Sequence, residues 1–320
     1  MSKEARSANC ESLFKECGST KYGAFRTNQK KSKAERINKD EQKSAEHDLR
    51  FTLFLEIDII TSEVLMLQNK TNLKPEDLDD KALTEFIIDM LHRMHVHETL
   101  WFREVEHQLG LERALNVMDI AWSKTKAICE KRYEKEFSGV FDQYILTAGH
   151  TGSIDMLSKD DKLRLCTCIA KNWLAQDGVW FQAVENIYGM NDAKRCNDST
   201  WARFSPFEAW SVKRFLELPD APGLNGLETA LNFRMYGMLN IQSSRYIDNN
   251  TLIFEMNECR VQTARIRKGL ADYPCKSAGL VEYSRFAECI DSRIGTECIG
   301  CPPDEHPCEW ACAWKFVLNS

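Results

Sequence analysis

Thirteen cysteines stand among 320 residues, and seven of them follow residue 258: Cys259, Cys275, Cys289, Cys298, Cys301, Cys308 and Cys312. The densest run is Cys298-Ile-Gly-Cys301-Pro-Pro-Asp-Glu-His306-Pro-Cys308-Glu-Trp-Ala-Cys312. A Cys-x-x-Cys step with a glycine inside lets two thiolates face one ion, and the prolines stiffen the turn that follows. Thiolates suit zinc, copper(I) or iron–sulfur clusters. Zinc is the expected ion here, with an iron–sulfur cluster as the alternative. Spacing limits the ligand set. Four residues of strand span about 13 Å at roughly 3.3 Å each, whereas thiolates bound to one zinc at about 2.3 Å lie under about 5 Å apart. If both sit in one strand, only one of Cys308 and Cys312 joins Cys298 and Cys301, with Cys259 or Cys275 supplying the remaining sulfur. A second Cys-x-x-Cys at zinc-ribbon spacing is absent. Two other readings stay open: a redox or nucleophilic thiol, such as Cys275 beside Lys276, and buried inert cysteines.

Other chemistry-bearing residues have plainer roles open to them. Arg260, Arg265, Arg267 and Lys268 form a basic cluster beside Cys259. Such a cluster can clamp a carboxylate or phosphate of a small anionic molecule, or simply be a solvated helix face. His92 and His95 can share a helix face while His97 points elsewhere, which suits surface or capping histidines better than a metal site. Glu104-x-x-His107 has the spacing of di-iron bundles. Ala183 and Asn186 occupy the corresponding positions of the second repeat described below, so the symmetric partner is missing. Glu98 with Asp177, and Glu106 with Glu185, could be acid–base pairs or structural caps. Cys166 and Cys168 diverge around a helix and read as core. No dinucleotide-binding, phosphate-loop or serine-hydrolase motif occurs, and no catalytic residue is assigned.

The positioning elements are legible in outline. Residues 1–48 are polar and lack apolar periodicity, as a disordered tail does. Trp101-Phe102-x-x-Val105-Glu106-x-x-x-Gly110-Leu111-x-x-Ala114 recurs as Trp180-Phe181-x-x-Val184-Glu185-x-x-x-Gly189-Met190-x-x-Ala193, an offset of 79 residues that also maps Asp119 onto Asp198 and Trp122 onto Trp201. Residues four apart share a helix face, and each glycine falls where a helix cap belongs. Residues 49–217 are therefore expected to form a helical domain of two repeats, about 80–137 and 159–215. Leu218 to Gly226, rich in proline and glycine, is the expected linker. Beyond it, residues 226–320 read as a Cys-rich domain. Two strands flank an Asp-Asn-Asn turn within Tyr246–Phe254, a short helix spans Arg260 to Lys268 and stops at Gly269, and another spans Val281 to Ile290. Cys308 to Leu318 alternates as a strand with Trp310, Cys312, Trp314, Phe316 and Leu318 on one face. The fold class is α+β with an antiparallel sheet.

A net charge of −6 gives no global reason to bind nucleic acid. The most apolar early stretch, Phe51 to Leu67, is broken by Glu56, Asp58 and Glu63, so it is no membrane span. The first residues lack the apolar core of a secretory signal. A cytoplasmic protein with reduced cysteines is expected, and there clustered thiols favour metal or catalysis over disulfides. The residues set no oligomeric state.

Cys259-Arg-Val-Gln-Thr-Ala-Arg-Ile-Arg-Lys-Gly-Leu270, Tyr273-Pro-Cys-Lys276, Gly279-Leu-Val-Glu-Tyr283, Phe286-Ala287, Ile290-Asp291 and the Cys298-x-x-Cys-Pro-Pro-Asp-x-His-Pro307 run resemble a family of unknown function (domain-of-unknown-function family 6125). Its members are cytosolic proteins, mostly of anaerobic bacteria and archaea. The Trp-Phe-x-x-Val-Glu segments resemble its helical half, so the likeness covers roughly residues 80–320. The resemblance implies shared cysteines at Cys259, Cys275, Cys298, Cys301 and Cys312, with Cys308 a local addition. More remotely, the C-terminal half resembles small-ligand domains related to L-2-aminothiazoline-4-carboxylate hydrolase, which implies no transferable catalytic residue.

Overall fold

In a computed structural model of the chain, residues 72–137, 154–267, 269 and 272–320 are described, all within one compact unit. The Phe51–Leu67 stretch, the polar tail and Lys268 lie outside the described residues. The fold is α+β, with long helices followed by an antiparallel sheet.

Two long helices, α1 (Asp80–Leu109) and α2 (Leu111–Phe137), are followed by two more, α3 (Lys159–Tyr188) and α4 (Met190–Phe215). Asp79 caps α1 by accepting from the Ala82 N–H at 2.8 Å, and Ser158 caps α3 by accepting from Asp161 at 3.2 Å. Each pair is joined through one glycine with positive φ, 92° at Gly110 and 89° at Gly189, a conformation that costs other residues a Cβ clash. Trp101 and Trp180, both fully buried, stack with ring centroids 6.2 Å apart. The related positions Trp122 and Trp201 differ, the first exposed and the second buried.

The Pro/Gly-rich stretch expected as a linker is packed. Leu218 and Leu224 are buried, and a helix α5 (Gly223–Asn232) begins within it. One apolar core then runs without a break from Leu83 and Phe86 on α1 to Phe316 on the last strand.

Strands β1 (Ile241–Asp248) and β2 (Thr251–Glu258) form the expected hairpin, and helix α6 (Arg260–Ile266) follows directly. Helix α7 (Lys276–Ile290) starts five residues before the expected Val281. Strand β3 (Ile294–Gly300), to which the sequence analysis assigned no element, carries Cys298. Strand β4 spans Cys312–Leu318, so the expected strand start at Cys308 is corrected: Cys308 is exposed and precedes the strand. The sheet order is β1-β2-β4-β3, with every neighbouring pair antiparallel. Trp314 and Phe316 of β4 pair with Phe254 and Leu252 of β2, and all four are buried.

A buried ionic chain ties α1, α4 and α7 to the segment that follows α5. Arg234 donates to Glu208 at 2.9 Å and to Glu282 at 2.6 Å, and Glu208 also accepts from the Met235 N–H at 2.9 Å. Arg93 pairs with Asp89 and donates to the Phe233 carbonyl at 2.8 Å. Each acid thereby offsets the large cost of burying a guanidinium.

Candidate thiol site

Antiparallel pairing brings the end of β2, the end of β3 and the start of β4 to one margin of the sheet. Met256 is in register with Cys312, and Gly300 with Ala313. The Ala311 N–H donates to the Met256 carbonyl at 2.8 Å and sets the entry to β4. Cys259 leaves β2 as the residue before α6, and Cys275 is the residue before α7. The register of β3 shifts between Cys298 and Gly300. A bulge of this kind re-aims the chain, and Cys301, just beyond it, is buried. Lys276 N–H donates to the Pro302 carbonyl at 2.9 Å, holding the start of α7 against the Cys301 turn.

Five cysteines therefore meet at one corner. The Cys301 thiol donates to the Cys275 sulfur at 3.9 Å, and Cys312 is near enough to raise the Cys301 pKa. Cys259 lies close enough to feel Cys312 and Cys275, and Cys298 feels the same two. Every described cysteine is a free thiol. Among the described residues, no group of three or more His, Cys, Asp or Glu side chains is arranged to hold a metal ion. Only Cys275 and Cys301 are shown in sulfur–sulfur contact, and the remaining three sulfurs do not close on the same point. Cys308 stands apart, and Cys289 donates instead to the Pro206 carbonyl at 3.3 Å.

The thiols are unequal. Donation from Cys301, and from the Gln262 amide at 3.3 Å, holds Cys275 below the usual thiol range despite its burial. Sharing its proton with Cys275 and Cys312 pushes Cys301 up, and burial pushes Cys259 up to about 12. Gln262 is fixed in turn by Tyr273, donating to its carbonyl at 2.9 Å and accepting from its N–H at 2.8 Å. Gly279 makes room: a Cβ there would stand 2.8 Å from Trp314 and 3.6 Å from the Cys301 sulfur.

The basic cluster is spread out. Arg260 and Arg267 are exposed on and after α6, and only Arg265 is half-buried, its guanidinium 6.0 Å from the Tyr273 ring centre. The clefts between α4 and α7 and beside Arg164 are lined by other residues.

His92 and His95 are exposed, but His97 is buried in the core, stacked on Phe204 at 4.2 Å. Its Nε2 lies 3.6 Å from Asp177, and burial lowers its pKa to about 3. Asp177 accepts from the Trp101 indole at 2.9 Å, and burial pushes its carboxyl up to about 7. Sequence reading paired Asp177 with Glu98 and missed this neighbour of His97. Glu104 is buried and ion-paired with Arg203 while His107 is exposed, so the Glu-x-x-His spacing is split. Cys166 and Cys168 lie in the core.

The model of the family of unknown function DUF6125 matches residues 155–318, just over half of the chain, and the protein belongs to that family. The match takes in α3, α4 and the whole thiol corner; α1 and α2 lie outside it. No curated protein and no solved structure matches the chain. No helix among the described residues is long and apolar enough to cross a membrane.

Proposed function

We propose that this member of the family uses its cysteine corner to bind a soft metal ion, zinc in the first instance. The observation that carries the reading is the 3.9 Å approach of Cys275 and Cys301, beside which Cys312 starts β4. Sulfurs bound tetrahedrally to one zinc at about 2.3 Å stand roughly 3.8 Å apart, so this pair already has the separation of two ligands. The donors are all sulfur, which favours zinc or an iron–sulfur cluster over hard cations. Cys275, Cys301 and Cys312 form the inner set, and Cys259 or Cys298 supplies the fourth sulfur by a side-chain turn. With four sulfurs the ion is structural; with three, an open position could serve hydrolysis of a small molecule. A small anionic ligand beside the corner would meet Arg265 first, with Arg260, Arg267 and Lys268 flanking it.

Elemental analysis and an absorption spectrum of protein purified without oxygen test this reading. About one zinc per chain, lost together with thermal stability in Cys301→Ser, is the expected result. Absorption near 400 nm would replace zinc by an iron–sulfur cluster. A metal-free chain that takes up no zinc would overturn it. The Cys275 thiol, its pKa lowered by donation from Cys301, would then favour the second reading, a dithiol that exchanges with a small-molecule disulfide: the Cys275 thiolate attacks one of its sulfurs and releases one thiol, and Cys301 then attacks Cys275 and releases the other.

A further inference from the structure

Asp177 is a largely buried carboxyl group without a cation of its own. On α3 it accepts from the Trp101 indole at 2.9 Å and stands 3.6 Å from the His97 Nε2 of α1. No lysine or arginine pairs with it among the described residues. Lys194 is held by Asp198 and by the Pro274 carbonyl, each at 3.1 Å, and Arg234 is shared between Glu208 and Glu282. The neighbouring imidazole is unsatisfied as well: His97 is 1% exposed, and its Nε2 has no hydrogen-bond partner. A polar atom buried in this way costs stability unless something occupies it. Room remains beside the pair, since the Asp177 side chain keeps 14% of its surface. Trp173 and Trp201 border the His97 ring at 5.5 and 5.3 Å, and the half-buried Tyr236 packs on the same two indoles at 5.0 and 5.7 Å. The Tyr236 hydroxyl is near enough to feel the Asp177 charge and hydrogen-bonds to no described residue.

We propose that this recess, bordered by His97, Asp177 and Tyr236, binds the ammonium group of a small primary amine. An alkylammonium carries three N–H donors. The recess offers three acceptors: the Asp177 carboxylate, the His97 Nε2 in the tautomer that carries its proton on Nδ1, and the Tyr236 hydroxyl. Burial lowers the His97 pKa to about 3, which keeps the imidazole neutral and able to accept. The carboxylate supplies the opposite charge, and the surrounding indole and phenol rings attract a cation and accept its alkyl group. An anion is repelled by Asp177 and by Glu282, whose charge also reaches Asp177. A divalent metal lacks a third ligand, since no group of three such side chains is arranged to hold one among the described residues. The recess is separate from the thiol corner and needs no metal there.

Titration of the full chain, as purified, with propylammonium chloride, followed by indole fluorescence, tests this assignment. At about pH 8.5 Asp177, raised to about 7, is ionised, while an alkylamine with a pKa of about 10.4 keeps its proton. A saturable change is expected, weakened about tenfold in Asp177→Asn and about threefold in Tyr236→Phe. Circular dichroism of both variants should match the wild type; should Asp177→Asn fail to fold, Tyr236→Phe, which loses only a hydroxyl, decides alone. Propyltrimethylammonium, which has the charge but no N–H, is expected to bind about tenfold more weakly than propylammonium. No saturation up to about 20 mM overturns the proposal, as does the same change with potassium chloride at equal concentration. Equal binding of the trimethyl compound, or binding unaltered in the folded variants, overturns it too.

Discussion

The Cys301 thiol donates to the Cys275 sulfur across 3.9 Å, although 26 residues and a whole helix separate the two in the chain. Sequence proximity had favoured Cys298 as the partner of Cys301. The fold instead places Cys298 inside β3 and turns Cys301 toward the residue before α7. In metal-free, reduced protein, Cys275 is therefore expected to alkylate first among the five corner thiols. Cys301→Ala removes its donor and should slow that reaction at fixed pH, and added zinc should protect Cys275, Cys301 and Cys312 together. Peptide mapping of iodoacetamide adducts over time reads all three effects.

Gly279 holds the corner open. Gly279→Ala forces a methyl group against the buried, stacked indole of Trp314, and overpacking of this kind costs about 1–3 kcal/mol. Denaturant titration should show that loss. Metal content should fall with it, because the same methyl group sits beside the Cys301 sulfur.

The pH dependence of stability should carry two opposed contributions from the α1–α3 contact. His97 is held to about 3 against 6.5 in the unfolded chain, so its contribution is complete above pH 6.5 and is lost as pH falls toward 3. Asp177 is raised to about 7 against 3.8, so its contribution is complete below pH 3.8 and is lost as pH rises through 7. Protonated Asp177 also leaves His97 no carboxylate to hold a proton. His97→Phe should flatten the acid limb, and Asp177→Asn should flatten the decline between pH 4 and 7, each by up to about 1.4 kcal/mol per pH unit. Urea titrations at intervals of one pH unit measure both slopes.

Arg234 is the sole described cation touching both Glu208 and Glu282. Arg234→Ala leaves two buried carboxyl groups without it, which should cost about 3–5 kcal/mol. Arg234→Lys should recover little of this, since an ammonium group cannot serve two acids from the planar fork. Equilibrium unfolding of the two variants compares them directly.

What the sequence made legible follows from local pattern. The alternation of Trp314, Phe316 and Leu318 marked β4 because one face of that strand is buried, and Gly110 and Gly189 marked helix ends because those positions need positive φ. Strand β3 is not marked by the sequence because Gly295 and Gly300 interrupt a segment with little apolar alternation. Helix α7 was cut short because Ser277, Ala278 and Gly279 carry no large apolar side chain; Gly279 is small where Trp314 and Cys301 approach. His97 read as a surface group because its aromatic partners Trp173, Trp201 and Phe204 come from helices more than seventy residues away. The cysteines could be nominated from composition, but their pairing depends on which strand ends share a margin, and that is a property of topology.

X-ray absorption at the zinc edge on the full chain, purified without oxygen, probes the thiol corner most directly. A shell of three or four sulfurs at about 2.3 Å, reduced by one sulfur in Cys312→Ser, is the expected spectrum. A shell of nitrogen and oxygen alone, or a sulfur count unmoved by loss of Cys275, Cys301 and Cys312 in turn, would contradict metal binding at this corner.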